Sequence, residues 1–312
     1  MRIAIIDCGT NTFNLLITDV TEGTISLVHK EQVPVTIGKG GIEKKIIAPD
    51  AYKRALDAMQ LYSLRIKEFN TDKVIATSTS AFRSTENGPK LRNEIQELTG
   101  INVEIISGDL EAEYIYKGVV WALPPEPGST YLIMDIGGGS TEFILYNDHE
   151  ILFKESYALG ASRLIEKFKP SDPLSAGNVE DFYLYFKEVL ESSLIKECLI
   201  HKPDYLVGSS GFFDTLRSIT HYRFHSEQPF PEKDKNYPIT LDEFKYSYDL
   251  LLRSNYQERL EIKGMTPFRA EMMGVSIILT DYVIMNSGAG TIINTTYALK
   301  EGVLKTFIET NP

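Results

Sequence analysis

A strand–turn–strand unit occurs twice in this chain, 128 residues apart, and that duplication constrains the fold more than any other feature. The first copy runs Arg2-Ile3-Ala4-Ile5-Ile6 into Asp7-Cys8-Gly9-Thr10-Asn11-Thr12 and out through Leu15-Leu16-Ile17. The second runs Tyr131-Leu132-Ile133-Met134 into Asp135-Ile136-Gly137-Gly138-Gly139-Ser140-Thr141 and out through Phe143-Ile144-Leu145. The copies align without a gap, Asp7 over Asp135, Gly9 over Gly137 and Thr12 over Ser140. Each sets a carboxylate at the end of a buried strand, followed by a turn of small residues. Glycine lets backbone N–H groups approach an anion closely, and hydroxyls add donors. Such a carboxylate suits a divalent cation that neutralises phosphate oxygens. Two units facing each other would clamp a phosphate chain.

The elements between and after these units alternate. Three strands are expected from Arg2 to Val33, with turns at Gly9 and Thr21-Glu22-Gly23. Pro49-Asp50 begins a helix to Phe69, with Ala55, Leu56, Met59 and Leu64 at helical spacing. A strand, Lys73 to Ala76, leads into the hydroxyl-rich run Thr77 to Ser80. Then come a helix from Lys90 to Leu98 closed by Gly100, a strand from Val103 to Ile106, and a helix from Ser107 to Ala122. Leu123-Pro124-Pro125-Glu126-Pro127-Gly128-Ser129 breaks helix and sheet alike, and marks the boundary between halves. Beyond it, strands are expected around Asp148-His149 and at Tyr205 to Val207. Helices are expected around Leu164, from Val179 to Ile200, and from Leu241 and Phe268. His221 to Pro238 reads as a surface loop, and a strand from Thr291 precedes a helix from Tyr297. The expected fold is α/β, two actin-like, ribonuclease-H-like domains with mixed sheets around an interdomain cleft. Domain 1 is expected over 1–124 and domain 2 over 125–298, with a helix at 299–312 packing back on domain 1.

Composition narrows the partners. With 312 residues, 43% of them hydrophobic and 24% charged, the chain has the make-up of a soluble globular protein of two domains. A net charge of −11 without a dense basic block argues against DNA, and no apolar run suits a membrane helix. Any polyanion must be held by backbone amides, Mg²⁺ and a few placed cations. Two cysteines without metal spacing fit a cytoplasmic protein, Cys8 being a small buried hydrophobe at its strand end. The histidines at 29, 149, 201, 221 and 225 show no metal-ligand spacing.

Seven stretches, in order along nearly the whole chain, resemble the exopolyphosphatase and guanosine pentaphosphate phosphohydrolase family. They are Asp7 to Phe13, Ala76 to Arg83, Ile106 to Ala112, Asp135 to Glu142, Gly208-Ser209-Ser210-Gly211, Phe268 to Glu271, and Tyr297 to Gly302. The resemblance implies a phosphohydrolase that releases terminal phosphate from polyphosphate or guanosine pentaphosphate, with Mg²⁺ (or Mn²⁺) as cofactor. It also implies that Glu111 positions and activates the attacking water, although an acid in a first helical turn is by itself a helix-dipole stabiliser. Glu142 resembles a position near the metal and that water. Asp135 and Asp7 are the candidate metal ligands, each otherwise a cap for its own turn. Arg83 is the expected fork for phosphate oxygens. Thr10, Asn11, Gly137, Gly138, Gly139, Ser140, Gly208 and Ser209 complete the expected phosphate cradle. Arg269 and Glu271 form either a structural ion pair or substrate contacts. The chain resembles the short, two-domain branch of the family, and its oligomeric state stays open, a homodimer included. A kinase or ATPase on the same fold and a non-catalytic alarmone sensor remain as alternatives.

Overall fold

The computed structural model describes residues 1–21 and 24–311, so the expected turn at Glu22 and Gly23 lies outside the described residues. The first sheet is built from β1 (Arg2–Cys8), β2 (Thr12–Thr21), β3 (Thr24–Pro34), β4 (Lys73–Ser78) and β5 (Val103–Ile105), in the order β3-β2-β1-β4-β5. The first three strands form an antiparallel meander, and β4 and β5 run parallel to β1. Side chains alternate between faces along a strand, and β1 is apolar on both. Ala4, Ile6 and Cys8 face a core with Met59 and Tyr62 of α1 (Pro49–Glu68), Phe82 of α2 (Ser80–Ser84), and Leu91 and Ile95 of α3 (Gly88–Thr99). Ile3 and Ile5 face the other way. Gly100 ends α3 in the left-handed conformation, φ 75°, as its position after the apolar pattern predicts. Leu64, placed by spacing on the apolar face of α1, is instead exposed, because the buried stripe runs through Ala51, Ala55, Met59 and Tyr62.

Helix α4 (Gly108–Ala122) leads to the second sheet, ordered β10-β11-β9-β6-β7-β8. Its strands are β6 (Tyr131–Ile136), β7 (Thr141–Tyr146), β8 (Ile151–Tyr157), β9 (Tyr205–Ser209), β10 (Asn236–Ile239) and β11 (Thr291–Thr295). Around it lie α5 (Ala161–Phe168), α6 (Ala176–Leu190), α7 (Lys196–His201), α8 (Ser210–Phe224), α9 (Leu241–Arg253), α10 (Tyr256–Glu261), α11 (Ala270–Ser287) and α12 (Leu299–Thr310). The β1–β2 hairpin and the β6–β7 hairpin occupy corresponding places, and β9 pairs with β6 as β4 pairs with β1. The architecture is the expected pair of mixed-sheet α/β domains.

Several local expectations need correction. The helix expected from Val179 to Ile200 is α6 and α7 joined by a π-helical turn at Glu191–Ile195. Asp148 and His149 lie in the turn between β7 and β8, not on a strand. The expected loop from His221 to Pro238 is structured at both ends. His221 is buried in α8 with its Nε2 3.1 Å from the Gln228 carbonyl, and Pro238 sits on β10. Proline is tolerated there because β10 is an edge strand, with one side needing no ladder donor. Helix α10, short and capped by Asn255, had no clear apolar signal.

A third apolar core fills the space between the two sheets. It joins Ile3, Ile5 and Leu16 to Ile133 and Ile144 through Ile115 and Val119 of α4 and Val303 and Leu304 of α12. These helices approach so closely that glycine is required at both contact points. A Cβ on Gly118 would lie 2.2 Å from the Ala298 carbonyl oxygen, and one on Gly302 1.7 Å from that of Tyr114. Backbone cannot move aside as a side chain would. Gly302→Ala is therefore expected to cost at least the roughly 1–3 kcal/mol of ordinary overpacking. Chemical denaturation would measure it, and an unchanged midpoint would show that the helix pair has slack.

Candidate active site

The two hairpin turns close in the same way. The Gly9 N–H donates to the Thr12 carbonyl at 3.1 Å, and the Gly137 N–H to that of Ser140 at 3.0 Å. Across the ladders Asp7 lies opposite Asn14 and Asp135 opposite Glu142, so each carboxylate has a polar partner at the same register. The loops meet face to face. The Asn11 side chain lies against Gly138, where a Cβ would come within 2.4 Å of its Nδ2, and Thr10 Oγ1 reaches Gly139 similarly. Asn11 is held from the second half, accepting from Ser162 Oγ at 2.7 Å and directing Nδ2 at Met272 Sδ. The loops border a cleft of about 220 Å³.

Three buried acids, Asp135, Glu142 and Glu111, and the half-buried Asp7 lie along it. Asp135 ends β6, and both Ser209 Oγ and Ser210 Oγ donate to its Oδ2 at 2.7 Å. Ser210 adopts a left-handed φ of 67°, a strained conformation for a non-glycine residue at a point that orients a functional carboxylate. Burial raises the Asp135 pKa, and the two serine hydroxyls oppose the rise. Glu142 accepts from Ser156 Oγ at 2.7 Å. Burial, then the Asp135 charge, pushes it up to about 7. Glu111 sits in the first turn of α4, whose start is fixed by Ser107 Oγ accepting from the Leu110 N–H at 3.1 Å. It is only 6% exposed. Burial, then Glu142, holds its pKa well above the carboxylate range, against the pull of Arg83. Asp7 accepts from Asn14 Nδ2 at 3.0 Å. It is raised to about 6 by burial, partly offset by Lys300. Desolvated carboxylates crowded in this way hold a site for a cation or a proton.

Most of the residues expected from sequence meet here. Asp7, Thr10, Asn11, Glu111, Asp135, Gly137, Gly138, Gly139, Ser140 and Glu142 all line the cleft. Three others do not. Arg83 lies behind Glu111 instead of on the cleft wall, donating through Nη1 to Glu111 Oε2 at 3.1 Å and to the Ile106 carbonyl at 2.8 Å. Gly208 is packed against the Phe213 ring, 2.0 Å from where a Cβ would stand, so its small size serves the core. Ser209 reaches the cleft only through Asp135. Arg269 and Glu271 do not pair with each other. Arg269 donates to the Gly211 carbonyl at 2.7 Å, while Glu271 meets Lys39 at 3.1 Å. Cys8 is buried against Met59, its thiol pKa raised by desolvation, and does not border the cleft. Sequence reasoning missed Lys30, Asp214 and Lys300 on the cleft wall. Only Lys300 carried a signal, its place in the Tyr297 to Gly302 stretch.

A clasp spans the cleft beside the loops. The Glu166 carboxylate of α5 accepts from the N–H groups of Gly40, of Gly41 at 3.2 Å and of Glu43 at 3.4 Å. Arg163 joins Glu43 at 3.2 Å, Ser84 Oγ at 3.3 Å and the Gly139 carbonyl at 2.9 Å. One guanidinium therefore ties the second hairpin loop to the first half of the chain. Glu166→Ala is expected to widen the cleft in solution, read as a larger radius of gyration by small-angle scattering. An unchanged profile would show that the clasp does not hold this form.

A model of the Ppx/GppA phosphatase family matches residues 16–310. The chain belongs to that family. Among its relatives, a guanosine-5'-triphosphate,3'-diphosphate pyrophosphatase of Vibrio cholerae is 26% identical over 308 residues, 98% of this chain. The chain spans 59% of that relative's length. An exopolyphosphatase 2 of Mycobacterium tuberculosis is 32% identical over 227 residues, 70% of each chain. Among solved structures, an exopolyphosphatase from Cytophaga hutchinsonii superposes with a TM-score of 0.95 at 41% identity, covering 99% of this chain and 98% of that one. The Aquifex aeolicus family member, with a TM-score of 0.80 at 24% identity over 100% and 99% of the chains, shares the fold. Among the described residues no helix is long and apolar enough to cross a membrane.

Proposed function

We propose that this cleft hydrolyses the terminal phosphoanhydride bond of inorganic polyphosphate or guanosine pentaphosphate, releasing orthophosphate. The observation that carries this reading is the placement of Glu111. It is buried beside Glu142, backed by Arg83, and aimed into a cleft that two facing glycine loops border. The terminal phosphate sits against the N–H groups of Gly138 and Gly139, with Thr10 and Asn11 opposite. Glu111 accepts a proton from water as its oxygen bonds to phosphorus. The bridging P–O bond breaks, and its electron pair leaves on the departing chain. Arg83 orients Glu111 from behind, donating through Nη1 to its Oε2. The cleft lies between residues 1–124 and 125–298, and α12 returns to pack on α4 of the first of these.

The donor set fits magnesium or manganese. Both serines bond Oδ2 of Asp135, and among the described residues no hydrogen bond is made to its Oδ1. Among the described residues no three His, Cys, Asp or Glu side chains converge as a protein cage. Mg²⁺ asks for one or two carboxylates plus waters and substrate phosphates. Asp135, with Asp7 across the cleft, would hold it, and when bound it neutralises charge on the phosphate oxygens. The test is phosphate release from both substrates with and without Mg²⁺. A phosphorylated acceptor in place of free phosphate would make the protein a kinase, and tight guanosine pentaphosphate binding without turnover would make it a sensor.

A further inference from the structure

We propose that Ser156 of β8 is a positioning residue for the paired acids of the cleft, holding Glu142 in place and thereby leaving Arg83 to Glu111, a reading that rests on the hydrolytic function above. Ser156 does not itself line the cleft. It stands opposite Glu142 in the β7–β8 ladder, and its Oγ donates to Glu142 Oε1 at 2.7 Å. Residues two apart on a strand share a face, so Lys154 points the same way. Its Nζ meets Asp109 Oδ1 at 3.0 Å and Glu113 Oε2 at 3.9 Å. The strand therefore grips α4 through residues on either side of Glu111 in the chain.

Gly108 brings the supports of the two acids together. It opens α4, and a Cβ there would lie 2.7 Å from Ser156 Cβ, 3.0 Å from Ser156 Oγ and 3.6 Å from Arg83 Nη2. A serine and a guanidinium thus meet at the glycine from which the Glu111 turn starts. The missing side chain is what lets β8 come this close to the helix.

The need for such a device follows from charge. Glu111 and Glu142 are desolvated neighbours, and Arg83 attracts both. Arg83 donates to only one of them, Glu111. A Glu142 without a donor of its own would turn toward the guanidinium for a charge-assisted bond. It would then compete for Nη1 with the group that takes the proton from water. The Ser156 hydroxyl supplies that donor. Ser140 also acts on Glu142, but it belongs to the loop facing the terminal phosphate, where its hydroxyl has a second acceptor. Ser156, away from the cleft, has no such alternative.

The experiment compares Ser156→Ala with the parent chain in turnover of polyphosphate and guanosine pentaphosphate with Mg²⁺ present, and in crystal structures of both proteins. The variant's kcat should fall by about 10- to 100-fold with KM nearly unchanged, since alignment is what is lost and a displacement of about 1 Å can cost about 10²-fold. Its Glu142 carboxylate should turn toward Arg83. In a Glu142→Ala background Ser156→Ala should add little, because the group it holds is already gone. A serine that served only the strand edge would lower the melting temperature and leave kcat alone. Ser156→Cys, similar in size and a weak donor, repeats the measurement if the alanine variant does not fold. A parent that hydrolyses neither substrate, with Glu142 turned in the variant crystal, would overturn the hydrolase reading and leave the positioning of Glu142 standing. Normal kcat in folded Ser156→Ala protein with Glu142 unmoved would overturn the positioning role alone.

Discussion

Glu111→Gln should bind substrate as tightly as the parent chain while releasing phosphate about 10²–10⁴-fold more slowly, the usual contribution of a general base. Glutamine keeps the reach of the side chain and can still accept from Arg83 Nη1, but it cannot take a proton from water. Binding should hold or improve, since a negative charge beside a polyanion is gone. Stability gives an independent check. Burial raises the Glu111 pKa, so the folded chain holds that proton more tightly than the unfolded chain does. Above the unfolded pKa that shift opposes folding, and glutamine removes the opposition. The melting temperature should be equal or higher. A residue acting only on the helix dipole would show the reverse, a small loss of stability with ordinary turnover. Phosphate release, calorimetry and thermal melting on one preparation decide between them, and near-normal turnover would transfer the role to Glu142.

Asp135→Asn is the second large effect. Ser209 and Ser210 both donate to a single oxygen of Asp135, and an asparagine carbonyl can accept in the same place, so the local fold should survive. The charge does not. Changing an outer-shell partner of a metal costs about 10–100-fold, and a direct ligand should cost at least the upper end of that range. Turnover should therefore fall by about 10²-fold or more, and metal titration should show a weakened or absent site. Asp7→Asn should act more mildly, raising the Mg²⁺ concentration required. Full activity of Asp135→Asn in the presence of EDTA would remove the metal from the scheme.

What could be read in the sequence was what depends on neighbours along the chain. The Asp-Gly hairpins were legible because strand, carboxylate and turn all lie within about a dozen residues, and the second copy confirms the pattern of the first. Ser107 was legible as the start of α4 because a cap and its helix are contiguous. Arg83 was expected to fork toward phosphate oxygens, and its Nη1 instead meets Glu111. Its partner Glu111 lies on another element, and nothing in a run of hydroxyls reveals where a guanidinium will turn. Lys30 and Lys300 could not be joined in advance, since one lies on the third strand and the other on the last helix. The register of His221 was missed because aromatic, charged and proline-rich residues resemble a loop. Here they close over a buried imidazole.

The clasp formed by Glu166, Arg163 and Glu43 gives the chain two opposed responses to dissolved ions. If the proposed phosphate chain enters between the hairpins only as these contacts part, they gate its admission. Added salt weakens the Arg163–Glu43 pair, which is only partly exposed, less than it would a pair fully in water, but in the direction of a faster gate. The same salt screens the attraction that draws a polyanion toward Lys30 and its neighbours. At low ionic strength the gate should limit the rate, and at high ionic strength capture should. Turnover at subsaturating substrate is therefore expected to pass through a maximum as salt is raised, and a chain with the clasp removed should show only the falling limb.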